Sequence, residues 1–223
     1  MILSELQSLN LNNFIKTDRL VCMCYFQIMK TRENQSKARE RIMETAAELF
    51  FYKGYRATGI NEVIAKSDVA KATFYNHFPT KEDLCLAYLE ERNTSEYENI
   101  VAYVNDHDDP RERFMAVIEA VEPWLEANAM RGCCFLNMVA EIPDPGNRLR
   151  KKGDQHYDMV HDLIVNVTRQ LVASDKERYS RLSVDDVAND YMLILVGAIA
   201  MTEVYNSTWP AQHAVETVKR LVE

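Results

Sequence analysis

Between residues 36 and 84 the chain sets out helical signals closer together than ordinary helices allow, and this constrains the fold more than any other feature. Ile42, Ala46, Leu49 and Phe50 fall at i, i+4, i+7 and i+8, the apolar stripe of a helix starting near Ser36. Gly54 suits a left-handed stop after Lys53. A short helix is expected from Ile60 to Ser67, with Val63 and Ile64 on its apolar face. Asp68-Val69 makes a tight turn, and a third helix runs from Ala70 to His77, with Val69, Phe74 and Phe78 for the core. Pro79 breaks the chain, and Thr80 caps a fourth helix that carries Glu82 and Asp83 in its first turn. Two short helices joined by about three residues and braced by a longer one form a helix-turn-helix. That arrangement holds the second short helix proud of the surface, where its N-terminal half can enter a DNA major groove.

The remainder also reads as helix. Asp109-Pro110 opens one, and Pro123 should kink or interrupt it. Further helices are expected over Cys133–Ile142, Asn147–Ala173, Ser183–Asn206 and Pro210–Val222. Six Gly and six Pro are too few for a strand-and-turn architecture, and no segment alternates with period two, so the fold class is all-α. Three divisions follow: an extension over 1–33, a helix-turn-helix domain over 34–80, and a helical domain over 81–223. The first segment shows only the brief stripe Ile2, Leu6, Leu9 and is expected to be poorly ordered.

Charge divides along the same lines. Ten basic and six acidic residues from Lys30 to Lys81 leave +4, against −8 for the whole chain. A basic segment on an acidic body suits a nucleic-acid module, although a solvated helix face gives the same signal. Neither GxGxxG nor GxxxxGKS/T occurs, and no nucleophile–base pair or metal cluster is visible, so no catalytic residue, cofactor or metal is assigned. Five cysteines, Cys22, Cys24, Cys85, Cys133 and Cys134, make no disulfide framework. The longest apolar run, Met192–Met201, is short for a bilayer span, and the expected location is the cytoplasm.

Several strings carry a family resemblance: Arg39-Glu-Arg-Ile42, Ala46-Ala-Glu-Leu-Phe50, Gly54-Tyr55, Thr58, Val63, Val69, Lys71, Thr73-Phe-Tyr75, His77-Phe78 and Lys81-Glu-Asp-Leu84. They resemble the tetracycline-repressor (TetR) family of bacterial transcription regulators. The resemblance implies a regulator, most simply a repressor, that binds a palindromic double-stranded DNA operator as a homodimer and is released by a small-molecule inducer. It implies that Thr58, Thr73, Tyr75, His77 and Lys81 meet DNA, with donors for phosphate, and that Lys71, Ala72 and Asn76 read bases. Phe74 and Phe78 are assigned to the core. Three positions depart from the family pattern: Asp68 replaces the usual turn glycine, Ala70 the usual serine cap, and Gly59 a usual threonine. The last two helices are the dimerisation candidates, with Gly197-Ala-Ile-Ala200 as a small-residue face that serves equally in an intrachain core. The family pattern begins just after Met29, so translation is expected to start there. Thr17–Cys22 also permits an inverted-repeat coding sequence, an operator just ahead of that start.

Arg131-Gly-Cys-Cys-Phe-Leu-Asn137 resembles a segment of one family branch in which a cysteine senses electrophiles. Cys133, near a helix N-terminus and beside Arg131, is the candidate sensor, its pKa expected to be lowered; the alternative is a small core residue. His156 and His161 stand at i, i+5, off the i, i+4 spacing of a shared metal face. Met115, Met130, Met138, Met159, Met192 and Met201, with Trp124, Tyr157, Tyr191 and Tyr205, are candidates to line an effector pocket. An all-helical carrier or enzyme without operator binding is the competing function class.

Overall fold

The computed structural model describes residues 19–223, with side chains from Ser36 onward. The Ile2–Leu9 stripe lies outside the described residues. Among the described residues all regular structure is helical: α1 Arg19–Lys53, α2 Ile60–Lys66, α3 Lys71–His77, α4 Lys81–Asn105, α5 Pro110–Glu119, α6 Val121–Ala127, α7 Cys134–Glu141, α8 Arg148–Ser174, α9 Val184–Tyr205 and α10 Trp209–Arg220.

Four of these helices start on a side-chain cap. The Thr80 hydroxyl accepts from Asp83 N, the Asp109 carboxylate from Arg111 N and Glu112 N, the Asn147 side chain from Leu149 N, and the Ser183 hydroxyl from Asp186 N. Each satisfies an amide that a helix start leaves without a partner. The first helix differs from expectation. It begins at Arg19 rather than Ser36, because no Gly or Pro lies between them, and the Ser36 hydroxyl bonds Glu40 Oε1 instead of capping. Pro123 does interrupt its helix, and the break falls at Ala120. A proline ring clashes with the carbonyl four residues back, here Glu119, so the helix must end and restart before it.

α1 packs on α2, α3 and α4, and α4 continues into the C-terminal body to pack on α5 and α8. α8 in turn packs on α7 and α9, and α9 on α10. One hydrophobic core runs through both parts, from Ile42, Val63 and Phe74 to Phe114, Tyr191 and Val218. Gly153 lets α7 and α8 approach closely: a Cβ there would lie 2.7 Å from Val139 Cγ2 and 3.3 Å from Phe135 O. α9, at 22 residues, is long and apolar enough by composition to cross a membrane, which the shorter Met192–Met201 run did not suggest. Here one side of it, with Tyr191, Leu195, Ala198 and Ile199, is buried in the core.

Candidate nucleic-acid interface and internal cavity

Asp68 turns the chain between α2 and α3 with φ 52, a left-handed conformation unusual for a residue other than glycine. Ala70 stands at the N-cap of α3 in extended conformation but has no side chain to bond an amide. Val63 and Phe74, both fully buried, pin the two short helices to the core, and Phe78 closes the motif beneath them. This leaves Lys71, Ala72, Tyr75 and Asn76 exposed on one side of α3, with Thr73 half-buried. Tyr75 is 39% exposed and rests edge-on against Phe74, ring centroids 5.3 Å apart.

Three of the expected DNA contacts are placed differently. Thr58 is 1% exposed, and its hydroxyl donates to Gly54 O at 2.7 Å and Leu49 O at 3.3 Å. It closes the C-terminal end of α1 and has no free donor for a phosphate. Lys81 Nζ donates to Tyr55 O at 2.8 Å and Thr58 O at 2.9 Å and lies over the Tyr55 ring. Burial lowers its pKa, but the two carbonyls hold it inward as a brace. His77 is half-buried, with Nε2 buried and unpartnered among the described residues.

Sequence reasoning missed the element that grips this domain from outside. Glu141, at the end of α7, accepts from Tyr55 N at 3.1 Å and Arg56 N at 2.7 Å, one amide for each carboxylate oxygen. Successive amides after a left-handed residue make an anion-binding concavity, and Gly54 supplies that residue with φ +90. A Cβ on Gly54 would lie 2.7 Å from Glu141 Oε1, so glycine also makes room for the carboxylate. Arg131 donates to Phe51 O and Tyr52 O, both at 3.3 Å, placing a cation at the C-terminal end of α1. No local signal marks Glu141, because its role depends on a contact 85 residues away.

The expected activation of Cys133 is not present. Arg131 is turned to α1, and Cys133 is 3% exposed at the N-cap of α7, where burial first and Glu96 second raise its pKa. A low dielectric disfavours a thiolate more than one short helix end favours it. Cys85, Cys133 and Cys134 are all free thiols. His156 is also buried: its ring stacks on Phe135 at 3.9 Å, Nδ1 is 2.8 Å from Asn93 Oδ1, and burial lowers its pKa to about 4. His161 Nε2 pairs separately with Asn189 Oδ1 at 3.0 Å. No cluster of metal-ligating side chains occurs among the described residues.

The C-terminal body holds a cavity of about 260 Å³, partly open to solvent, between α4, α6, α8 and α9. Of the methionines and aromatics expected there, only Trp124 and Tyr157 line it. Tyr191 instead fills the core and donates to Phe114 O at 2.9 Å, Met159 Sδ accepts from Asn93, and Tyr205 lies on the surface. Cys133 is on the wall, so α7 has the cavity at one end and the DNA-binding domain at the other. On the opposite surface α9 exposes Leu193, Met201, Val204 and Tyr205, and α10 adds Trp209. Gly197 lies open on this face, while Ala198 and Ile199 belong to the core, so the expected small-residue face is divided between the two.

An exposed second helix of a helix-turn-helix, seated on an all-helical body, defines a DNA-binding transcriptional regulator. Residues 42–88 match the family described as bacterial regulatory proteins, tetR family, and residues 110–218 match the tetracyclin repressor-like C-terminal domain. The chain belongs to the TetR family of bacterial regulators. It is 26% identical over 131 residues to the transcriptional activator FasR of Mycolicibacterium smegmatis, covering 58% of this chain and 60% of FasR. It is 19% identical over 196 residues to the transcriptional repressor NemR of Escherichia coli, covering 86% of this chain and 96% of NemR. Among solved structures, the Streptomyces coelicolor TetR-family regulator SCO4454 superposes with TM-score 0.77 at 24% identity, covering 84% of this chain and 95% of SCO4454. The reduced form of E. coli NemR gives 0.70 at 20% identity, covering 83% of this chain and 98% of that one.

Proposed function

We propose that this regulator is a cytoplasmic repressor that binds a palindromic operator as a homodimer and lets go when a small molecule enters the cavity. The observation that carries this reading is the placement of α7. One end of this short helix borders the cavity, and Glu141 at the other holds the backbone that positions α2 and α3. A ligand that moves α7 therefore pulls on the DNA-binding domain. Lys71, Ala72 and Asn76 are the base-reading candidates, and Thr73 and Tyr75 the phosphate contacts. An electrophile is a second form of inducer, because Cys133 lines the cavity, although its thiol is held protonated.

The test is selection of bound duplexes from random DNA, followed by footprinting on the gene's own upstream region. Enrichment of an inverted repeat supports the reading. A carrier or enzyme without operator function would enrich nothing. Asn76→Ala should relax base preference at one position of each half-site, at about 1–3 kcal/mol against the preferred base. A uniform loss across all sequences would remove Asn76 from the base-reading set.

A further inference from the structure

We propose that the ligand of this cavity is a small aromatic cation, an amine or quaternary ammonium on one or two fused rings, held by the Glu96 carboxylate and the aromatic wall. This rests on the reading of the cavity as the effector site and names the chemical class that site accepts.

Size sets the first limit. A cavity of about 150 Å³ holds benzene, so the 260 Å³ here takes a molecule somewhat larger than one ring. The walls set the second. Tyr97, Tyr103, Trp124 and Tyr157 line the space together with aliphatic residues such as Ile100 and Leu195. Aromatic faces attract cations through their quadrupoles, and the attraction grows where water is excluded.

Charge sets the third. Glu96 is the one carboxylate on the wall, and among the described residues no Lys or Arg lines the cavity. Arg92 pairs with Glu96 Oε1 from outside, one helical turn away, and its guanidinium is also tied to Asn128 Oδ1 and lies over the Phe51 ring. That same Oε1 is buried and makes no hydrogen bond among the described residues, although a carboxylate accepts several. Burial raises the pKa of Glu96 against the pull of Arg92, so its ionised form is only partly compensated. A ligand cation supplies the missing compensation. His156, the one nitrogen base on the wall, is kept neutral by burial and does not repel it. An anionic ligand meets Glu96 with no opposing charge inside the cavity.

The experiment titrates the full-length protein calorimetrically with three molecules of one shape and different charge: naphthylmethylammonium, naphthylmethanol and naphthoate. The ammonium should bind at least about tenfold more tightly than the alcohol, and naphthoate most weakly. Glu96→Gln should remove most of the ammonium's advantage over the alcohol while leaving alcohol binding within about threefold, which also reports that the variant is folded. Equal binding of ammonium and alcohol by the native protein overturns the proposal without any variant. So does a preference undiminished by Glu96→Gln, or a failure of all three to bind. A parallel anisotropy measurement on a selected DNA duplex separates the two readings. Preferred ammonium binding without DNA release removes the effector role and leaves the ligand class standing; release by the alcohol alone does the reverse.

Discussion

The Lys81 ammonium donates to two backbone carbonyls, and hydrogen bonds to a charged donor contribute more than neutral ones. Lys81→Ala should therefore cost about 2 kcal/mol of stability, read by urea unfolding, and leave the salt dependence of DNA binding unchanged. Lys71→Ala should do the opposite, relaxing base preference at one position of each half-site by about 1–3 kcal/mol with no loss of fold. A flattened slope for Lys81→Ala would return that residue to the phosphate contacts. His156 adds a pH dependence whose sign is fixed by its burial. Its pKa in the fold is about 4, below the ~6.5 of an unfolded histidine, so the unfolded chain takes up the proton first as pH falls. Stability is then full above roughly pH 6.5 and declines toward pH 4, by about 3 kcal/mol over the whole shift. Glu96, with its pKa raised, acts in the opposite sense, favouring the fold as pH falls. His156→Gln leaves Glu96 in place and should remove most of the decline in a pH series of unfolding curves. An undiminished decline would place its source elsewhere.

At the scale of elements, α7 is eight residues long and holds the DNA-binding domain through one carboxylate. Glu141→Ala should free the Tyr55 and Arg56 amides, and their hydrogen exchange should quicken by about tenfold or more. Unchanged protection of both would show that the grip does not hold in solution. Much of the helical framework was legible because its signals are local. Thr80, Asp109, Asn147 and Ser183 each bond an amide two or three residues ahead, and sequence spacing shows such pairs directly. The start of α1 was not legible, since a helix without a capping signal runs on until something stops it. The exposed face of α3 was readable from the same periodicity that buries Phe74 and Phe78. The roles of Thr58 and Lys81 were not. Both are polar residues at family positions, and only the fold of the loop between α1 and α2 decides that they point inward. Glu141 and Glu96 escaped for the same reason, as their partners or surroundings come from distant segments.

At the scale of the whole molecule, one recognition helix reads only a few base pairs, and a palindrome needs two of them about 34–36 Å apart. The surface that would hold two copies together is the open side of α9. Leu193 and Val204 are 74% and 71% exposed, and Met201 lies between them in the sequence. With Gly197 they fall at i, i+4, i+8 and i+11, one ridge along the helix. Such a ridge of apolar side chains is costly to leave in water and suits burial against a second copy. Gly197 sits within it, and a Cβ there would meet nothing within 4 Å in the single chain. This makes Gly197→Glu a clean probe. Glutamate favours a helix over glycine by about 0.5–1 kcal/mol and has room in the monomer, so the fold should be no less stable. A pair of such carboxylates across a close helix contact would be desolvated and mutually repulsive. The variant should sediment as a monomer with an unchanged unfolding midpoint or a raised one. On a full palindrome it should bind no better than on a half-site, and its salt slope should fall to about half, because half the phosphate contacts remain. A dimeric Gly197→Glu protein with native affinity for the palindrome would exclude this face of α9 as the interface.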